Sequence, residues 1–138
     1  MLGYSVMRLS ASIEHLAEVE AQIVAGLRLP EYRVLAVLLG EGPLGVAGLQ
    51  QAMSIDKAWI SRTLTSLAEK ELVESRADDV DGRRTSYRLT REGRRIASLL
   101  LRRARKREDQ TFAGFDARQR QAVFDLLARV QQNVDKLA

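Results

Sequence analysis

The chain has 138 residues and a formal net charge of +4, enough length for one modest core and a charge that favours polyanionic partners. It has no cysteine and one histidine, His15, which excludes disulfides, thiolate metal sites and cysteine nucleophiles and leaves no metal-ligand spacing, so neither catalysis nor a cofactor is expected. No apolar run approaches the ~20 residues of a membrane span, and the first residues lack the charged-then-apolar layout of a secretory leader, so a cytoplasmic protein without membrane contact is expected.

Val6, Leu9, Ile13, Leu16, Val19 or Glu20, Ile23 and Leu27 recur at intervals of three and four. That spacing predicts one long helix with a single apolar seam, ending near Gly26. His15 lies beside the seam and reads as a partly exposed or capping residue. Pro30 stands at the start of a second helix, where its missing N–H is harmless. Tyr32, Val34, Leu35, Val37, Leu38 and Leu39 make that helix apolar on more than one side, as expected of a central packing element. Gly40-Glu41-Gly42-Pro43 stops it. Residues 44–52 predict a third helix with Val46, Leu49 and Met53 facing inward. Gln50 and Gln51 face outward, available to phosphate or to solvent.

Ser54-Ile55 breaks the pattern, and Asp56 is a good N-cap for a fourth helix. Ile60, Leu64 and Leu67 share one face of it, while Lys57, Ser61, Arg62, Thr65 and Glu69 share the other. Short donors and a guanidinium on an exposed helix face suit base edges and phosphates in a major groove. Trp59 either packs against the preceding helix or lies over a sugar or a thymine methyl. Two helices joined by a short turn, the second with a polar outer face, make a helix-turn-helix. Val73-Glu74-Ser75-Arg76 and Thr85-Ser86-Tyr87-Arg88-Leu89 then read as two short strands around a charged tip, which is a wing. At that tip Asp81 stands two residues before Arg83, a spacing at which the carboxylate can hold the guanidinium in a bidentate pair. Arg76 and Arg84 are expected phosphate contacts.

Thr90 is expected to cap a fifth helix, with Gly93 admitting another backbone at close range and Ile96, Leu99 and Leu100 continuing the buried stripe. Arg102-Arg103-Ala104-Arg105-Lys106-Arg107 reads as a solvated face able to pair with Glu14, Glu18 or Glu20. Asp116 caps a last helix, on which Val123, Leu126, Leu127, Val130, Val134 and Leu137 form a second apolar stripe. Apolar seams on helices at both ends of the chain argue for a homodimer, which suits half-sites one helical turn apart, about 10 bp.

Taken in order, Leu29-Pro30-Glu31-Tyr32-Arg33-Val34-Leu35, Ile55-Asp56-Lys57-Ala58-Trp59-Ile60-Ser61-Arg62, Leu67-Ala68-Glu69-Lys70-Glu71-Leu72-Val73, Asp81-Gly82-Arg83-Arg84 and Leu89-Thr90-Arg91-Glu92-Gly93 resemble the MarR family of winged helix-turn-helix transcriptional regulators. Each piece alone is weak; the ordered set is strong and spans nearly the whole chain. Trp59 departs from the small hydroxyl residue common there in the family. The resemblance implies a mainly α fold with a small β-wing. Residues 1–138 would form one MarR-like domain, with 30–90 as the winged helix-turn-helix and 1–28 with 91–138 as a helical dimerisation part. It implies that Arg83 enters the minor groove with Asp81 orienting it, a contact that reads groove shape more than sequence. It also implies a homodimeric regulator, more often a repressor, on double-stranded DNA with a palindromic operator. In many members a small aromatic or phenolic effector releases the DNA, whereas the thiol-oxidation sensing of some members is excluded by the lack of cysteine. The competing expectation is a winged-helix module that docks on another protein without specific DNA binding.

Overall fold

The computed structural model describes residues 1–77 and 84–138, with six helices and one two-stranded sheet among them. The order is α1 (Leu2–Ala25), α2 (Leu29–Glu41), α3 (Val46–Met53), α4 (Lys57–Glu69), β1 (Val73–Ala77), β2 (Thr85–Leu89), α5 (Arg91–Thr111) and α6 (Ala117–Asp135). The chain divides into two compact units, Met1–Arg103 and Ala104–Ala138.

The first unit is held by an aliphatic core. Leu27, Leu35, Leu38, Leu49, Leu64 and Leu67 are essentially sealed from solvent and come from α2, α3, α4 and the α1–α2 corner. Each such side chain contributes about 1.5–3 kcal/mol relative to exposure. The corner is made by Gly26, left-handed at φ 64°, whose N–H donates to the Gln22 carbonyl while that of Leu27 donates to Ala21. Glycine takes that conformation without steric cost, and Leu27 is thereby delivered into the core. Proline at the second position starts α2, and Gly42 at φ 82° ends it, as the sequence leads one to expect.

The long first helix divides its apolar residues in a way the seam alone does not reveal. Ala17 and Ala21 are buried, but Leu9, Ile13, Leu16 and Val19 are exposed and Ile23 is 79% exposed. Alanines face the core, joined near the helix end by Val24, and the large seam residues face outward. α3 starts at Val46, later than the expected residue 44, because Leu44 is committed elsewhere. Its N–H and carbonyl exchange hydrogen bonds with Tyr87 of β2 at 3.1 and 2.8 Å. β1 and β2 pair antiparallel with Val73 opposite Leu89 and Ala77 opposite Thr85.

Beyond β2, Thr90 caps α5 as expected. Its Oγ1 accepts from the Gly93 N–H at 2.9 Å and donates to the Glu71 carbonyl at 2.7 Å. A Cβ on Gly93 would stand 1.9 Å from the Leu72 carbonyl oxygen, so only glycine fits this approach.

In the second unit, Asp116 and Gln119 cap α6 reciprocally, each side chain meeting the other's backbone N–H at 2.8 and 3.0 Å. Phe112 packs edge-on to Phe115 and tilted on Phe124, and Arg120 lies over the Phe112 ring while pairing with Glu108 and Asp109. Of the stripe read from the sequence, Leu126, Leu127, Val130 and Val134 of α6 are exposed, Leu126 by 56%, while Val123 is half-buried and Leu137 lies beyond the helix. Among the described residues no helix is long and apolar enough to cross a membrane.

Candidate nucleic-acid interface

The turn before α4 passes through Ser54, a non-glycine residue in the left-handed region at φ 53°. Asp56 then closes the helix start, its Oδ1 accepting from the Ala58 N–H at 3.0 Å. Ile60, Leu64 and Leu67 are buried on the inner face. Thr63 joins them, its hydroxyl satisfied by the Trp59 carbonyl at 2.8 Å. This packing fixes which residues of α4 remain outside. Lys57, Ser61, Arg62 and Thr65 are all exposed, as is Glu69. The Thr65 hydroxyl donates to the Ser61 carbonyl at 3.0 Å, so what it offers outward is acceptor lone pairs. Trp59 is 40% exposed and shares with Arg28, Pro30, Glu31, Arg62 and Ser66 a shallow recess between the start of α2 and the side of α4. Gln50 and Gln51 are exposed on α3.

The hairpin follows directly. Arg76 is exposed near the end of β1, its carbonyl accepting from the Ser86 hydroxyl at 3.4 Å, and Arg84 is exposed just before β2. Arg88 is engaged across the sheet with Glu74, directly opposite, at 2.7 Å. Asp81 and Arg83 lie outside the described residues.

One residue matters here that the sequence reading passed over. Glu31, 4% exposed, sits in the first turn of α2 and reaches α4. Its Oε1 accepts from the Arg28 N–H at 3.0 Å, and its Oε2 accepts from Ser66 Oγ at 3.0 Å and from Lys70 Nζ at 2.8 Å. Lys70 Nζ also reaches the carbonyl of Gly26 at 3.3 Å. Burial pushes the Glu31 carboxyl up, but the bond from Lys70, those from Arg28 and Ser66, and the Lys70 charge outweigh it and hold the group below the usual carboxylate range. A glutamate at the third helical position following a proline start is a signal that could have been read, because that residue commonly turns back to the N-cap N–H.

On the other side of α2, Tyr32, Ala36, Leu39 and Gly40 meet Ala97, Leu100 and Leu101 of α5 around an apolar recess of about 240 Å³. Arg33 is paired with Glu14 at 2.6 Å. From the basic run of α5, Arg103 pairs with Glu20 at 3.4 Å. Among the described residues no cluster of three histidine or acidic side chains is arranged to hold a metal ion.

The model of the MarR family matches residues 25–84, from the α1–α2 corner to the base of β2. The HTH-type transcriptional regulator YdgJ of Bacillus subtilis is 26% identical over 119 residues, covering 86% of this chain and 73% of its own. A MarR-family transcriptional regulator from Silicibacter pomeroyi is similar in structure with a TM-score of 0.81 at 25% identity, over 97% of this chain and 90% of that one. FabT of Streptococcus pneumoniae, solved in complex with DNA, matches with a TM-score of 0.85 over 99% and 97% of the two chains. At 15% identity that last likeness concerns the fold alone.

Proposed function

We propose that the chain, whose residues 25–84 match the model of the MarR family and whose fold is that of solved members, is a MarR-family homodimeric regulator of transcription, acting as a repressor on a palindromic operator. The observation that carries the reading is the split of α4: Ile60, Leu64 and Leu67 are locked into the core, while Lys57, Ser61, Arg62 and Thr65 stand in solvent. A helix so held can be offered to a major groove as a rigid body. Arg62 and Ser61 are the base-edge and phosphate donors. Lys57, at the positive end of the helix, meets phosphate. Trp59 lies over a sugar or thymine methyl with its exposed edge. Arg76 and Arg84 of the wing, with Gln50 and Gln51 of α3, add backbone contacts. The assignment of Arg83 to the minor groove, oriented by Asp81, rests on the sequence motif.

The exposed apolar stripe of α1 supports the dimer, since a monomer rarely leaves so long a stripe open. The 30–90 segment is then the reading part and the helices at the two ends are the dimerisation part. The apolar recess between α2 and α5 supports an effector site for a small aromatic or phenolic molecule. Such a molecule would release the DNA only by preferring a dimer whose two α4 helices are out of register with the operator.

Affinity selection of genomic duplex fragments, followed by fluorescence anisotropy on the winners, tests the reading. One palindromic site is expected, and Arg62→Ala and Arg83→Ala are each expected to weaken it by about 1–3 kcal/mol. Recovery of fragments with no shared sequence, bound equally by wild type and variants, would overturn it.

A further inference from the structure

From the same corner of the molecule we infer that Glu31, with Ser66 and Lys70, is a positioning clamp that sets the orientation of α4 relative to α1, and so the spacing at which two copies read DNA. The inference rests on the homodimer-on-operator reading above. Its own basis is geometric. One carboxylate, almost wholly buried, joins the start of α2 to Ser66 of α4 and, four residues on, to Lys70 at the C-cap of α4, and Lys70 carries the link on to the carbonyl of Gly26, the residue that terminates α1.

Two attachment points a turn apart along a helix resist both sliding and rotation, which a single contact does not. The points also lie on the strip that matters. Arg62, Ser66 and Lys70 follow one another at intervals of four, so the clamp grips the row of side chains that begins with the proposed DNA-contacting arginine. Arg62, Ser66 and Glu31 border one recess. With a helix radius of about 5–6 Å including side chains, a rotation of roughly 10° moves an α4 side chain by about 1 Å. That is enough to misplace a bidentate contact. Aliphatic packing of Ile60, Leu64 and Leu67 holds α4 in the core but tolerates small rotations, whereas charge-assisted hydrogen bonds from a fixed carboxylate are directional. α1 in turn carries the exposed stripe through which the dimer is proposed to form. The polar link therefore joins the end of the dimer helix to the reading helix.

The test compares binding to the selected palindrome with binding to the same palindrome carrying one extra base pair between its half-sites. Wild type is expected to discriminate against the longer spacing by about tenfold or more, as a single mismatched base pair ordinarily does. Glu31→Gln, which keeps the shape and removes the charge, is expected to bind the two duplexes within about threefold of each other. Lys70→Met and Ser66→Ala each remove one donor and are expected to fall between; they carry the test should Glu31→Gln fail to fold. Variants that lose thermal stability yet keep the wild-type spacing ratio would overturn the inference, because a merely structural role predicts that pattern. If wild type itself selects no palindrome, the operator reading fails and the clamp's role in spacing fails with it. If wild type discriminates and the variants do so equally, only the clamp is lost.

Discussion

Glu71 occupies the left-handed region at φ 59°, directly after the lysine that binds Glu31. For a residue with a Cβ that conformation costs about 1–2 kcal/mol, against which the greater chain entropy of glycine recovers only part. Glu71→Gly is therefore expected to raise stability by about 1 kcal/mol, read as a shift of the urea midpoint without a change of slope. Lys70-Glu71-Leu72-Val73 reads as the end of the helix, but nothing in it announces the positive φ, which a glycine or asparagine would have signalled. Asp56 and Asp116, by contrast, were legible as caps because a short acceptor before an apolar period has one obvious use. Glu31 also carries a pH signature. Its carboxyl is held below the usual range in the folded chain, so its contribution is fully present above the ordinary unfolded value and is lost as pH falls through the lower folded one. Denaturant titrations from neutral pH to about 3 should show wild type losing more stability than Glu31→Gln, with the two converging in acid. Parallel curves would remove the charge from the account.

At the scale of elements, the period of α4 gave its buried and exposed faces directly, because both follow from a 3.6-residue repeat acting on local sequence. The position of Leu44 did not follow. It looks like the start of α3, but its hydrogen bonds go to Tyr87, more than forty residues on, and only the folded hairpin supplies that partner. α1 shows a different limit. The sequence reads one seam to bury, yet the core accepts Ala17 and Ala21 and leaves Leu9, Ile13 and Leu16 outside, and only Leu27 of that seam, beyond the end of α1, enters it. Which of two adjacent strips faces the core depends on how closely α1 approaches its neighbours, and small residues allow the closer approach. Close approach also governs the join of the wing to α5. With Leu72 oxygen 1.9 Å from where a Cβ on Gly93 would stand, Gly93→Ala must push the first turn of α5 off the end of the reading unit. We expect a loss of about 3 kcal/mol in equilibrium unfolding, at the upper end of ordinary overpacking. A loss under about 0.5 kcal/mol, the range of inert surface changes, would mean the backbones part at little cost.

For the molecule as a whole, the open apolar stripes are proposed to form a dimer that carries two reading helices. Sedimentation should give about twice the 15.5 kDa chain mass, and Ile13→Asp, placing a charge in the α1 stripe, should return the chain to a folded monomer. The same variant should lose most of its operator affinity, since one half-site then binds alone. Arg62 and its neighbours were legible from sequence as exposed polar residues, whereas their contact with DNA belongs to the proposed pair, and the wing residues Asp81 and Arg83 stand on their motif. The most direct measurement is the ratio of dissociation constants for the selected palindrome and a scrambled duplex of the same length and composition, at physiological salt. A ratio of at least about 10³ in favour of the palindrome is expected, with two chains bound per duplex. Equal binding to both, falling steeply as salt is raised, would reduce the exposed face of α4 to a non-specific cationic surface and contradict the account.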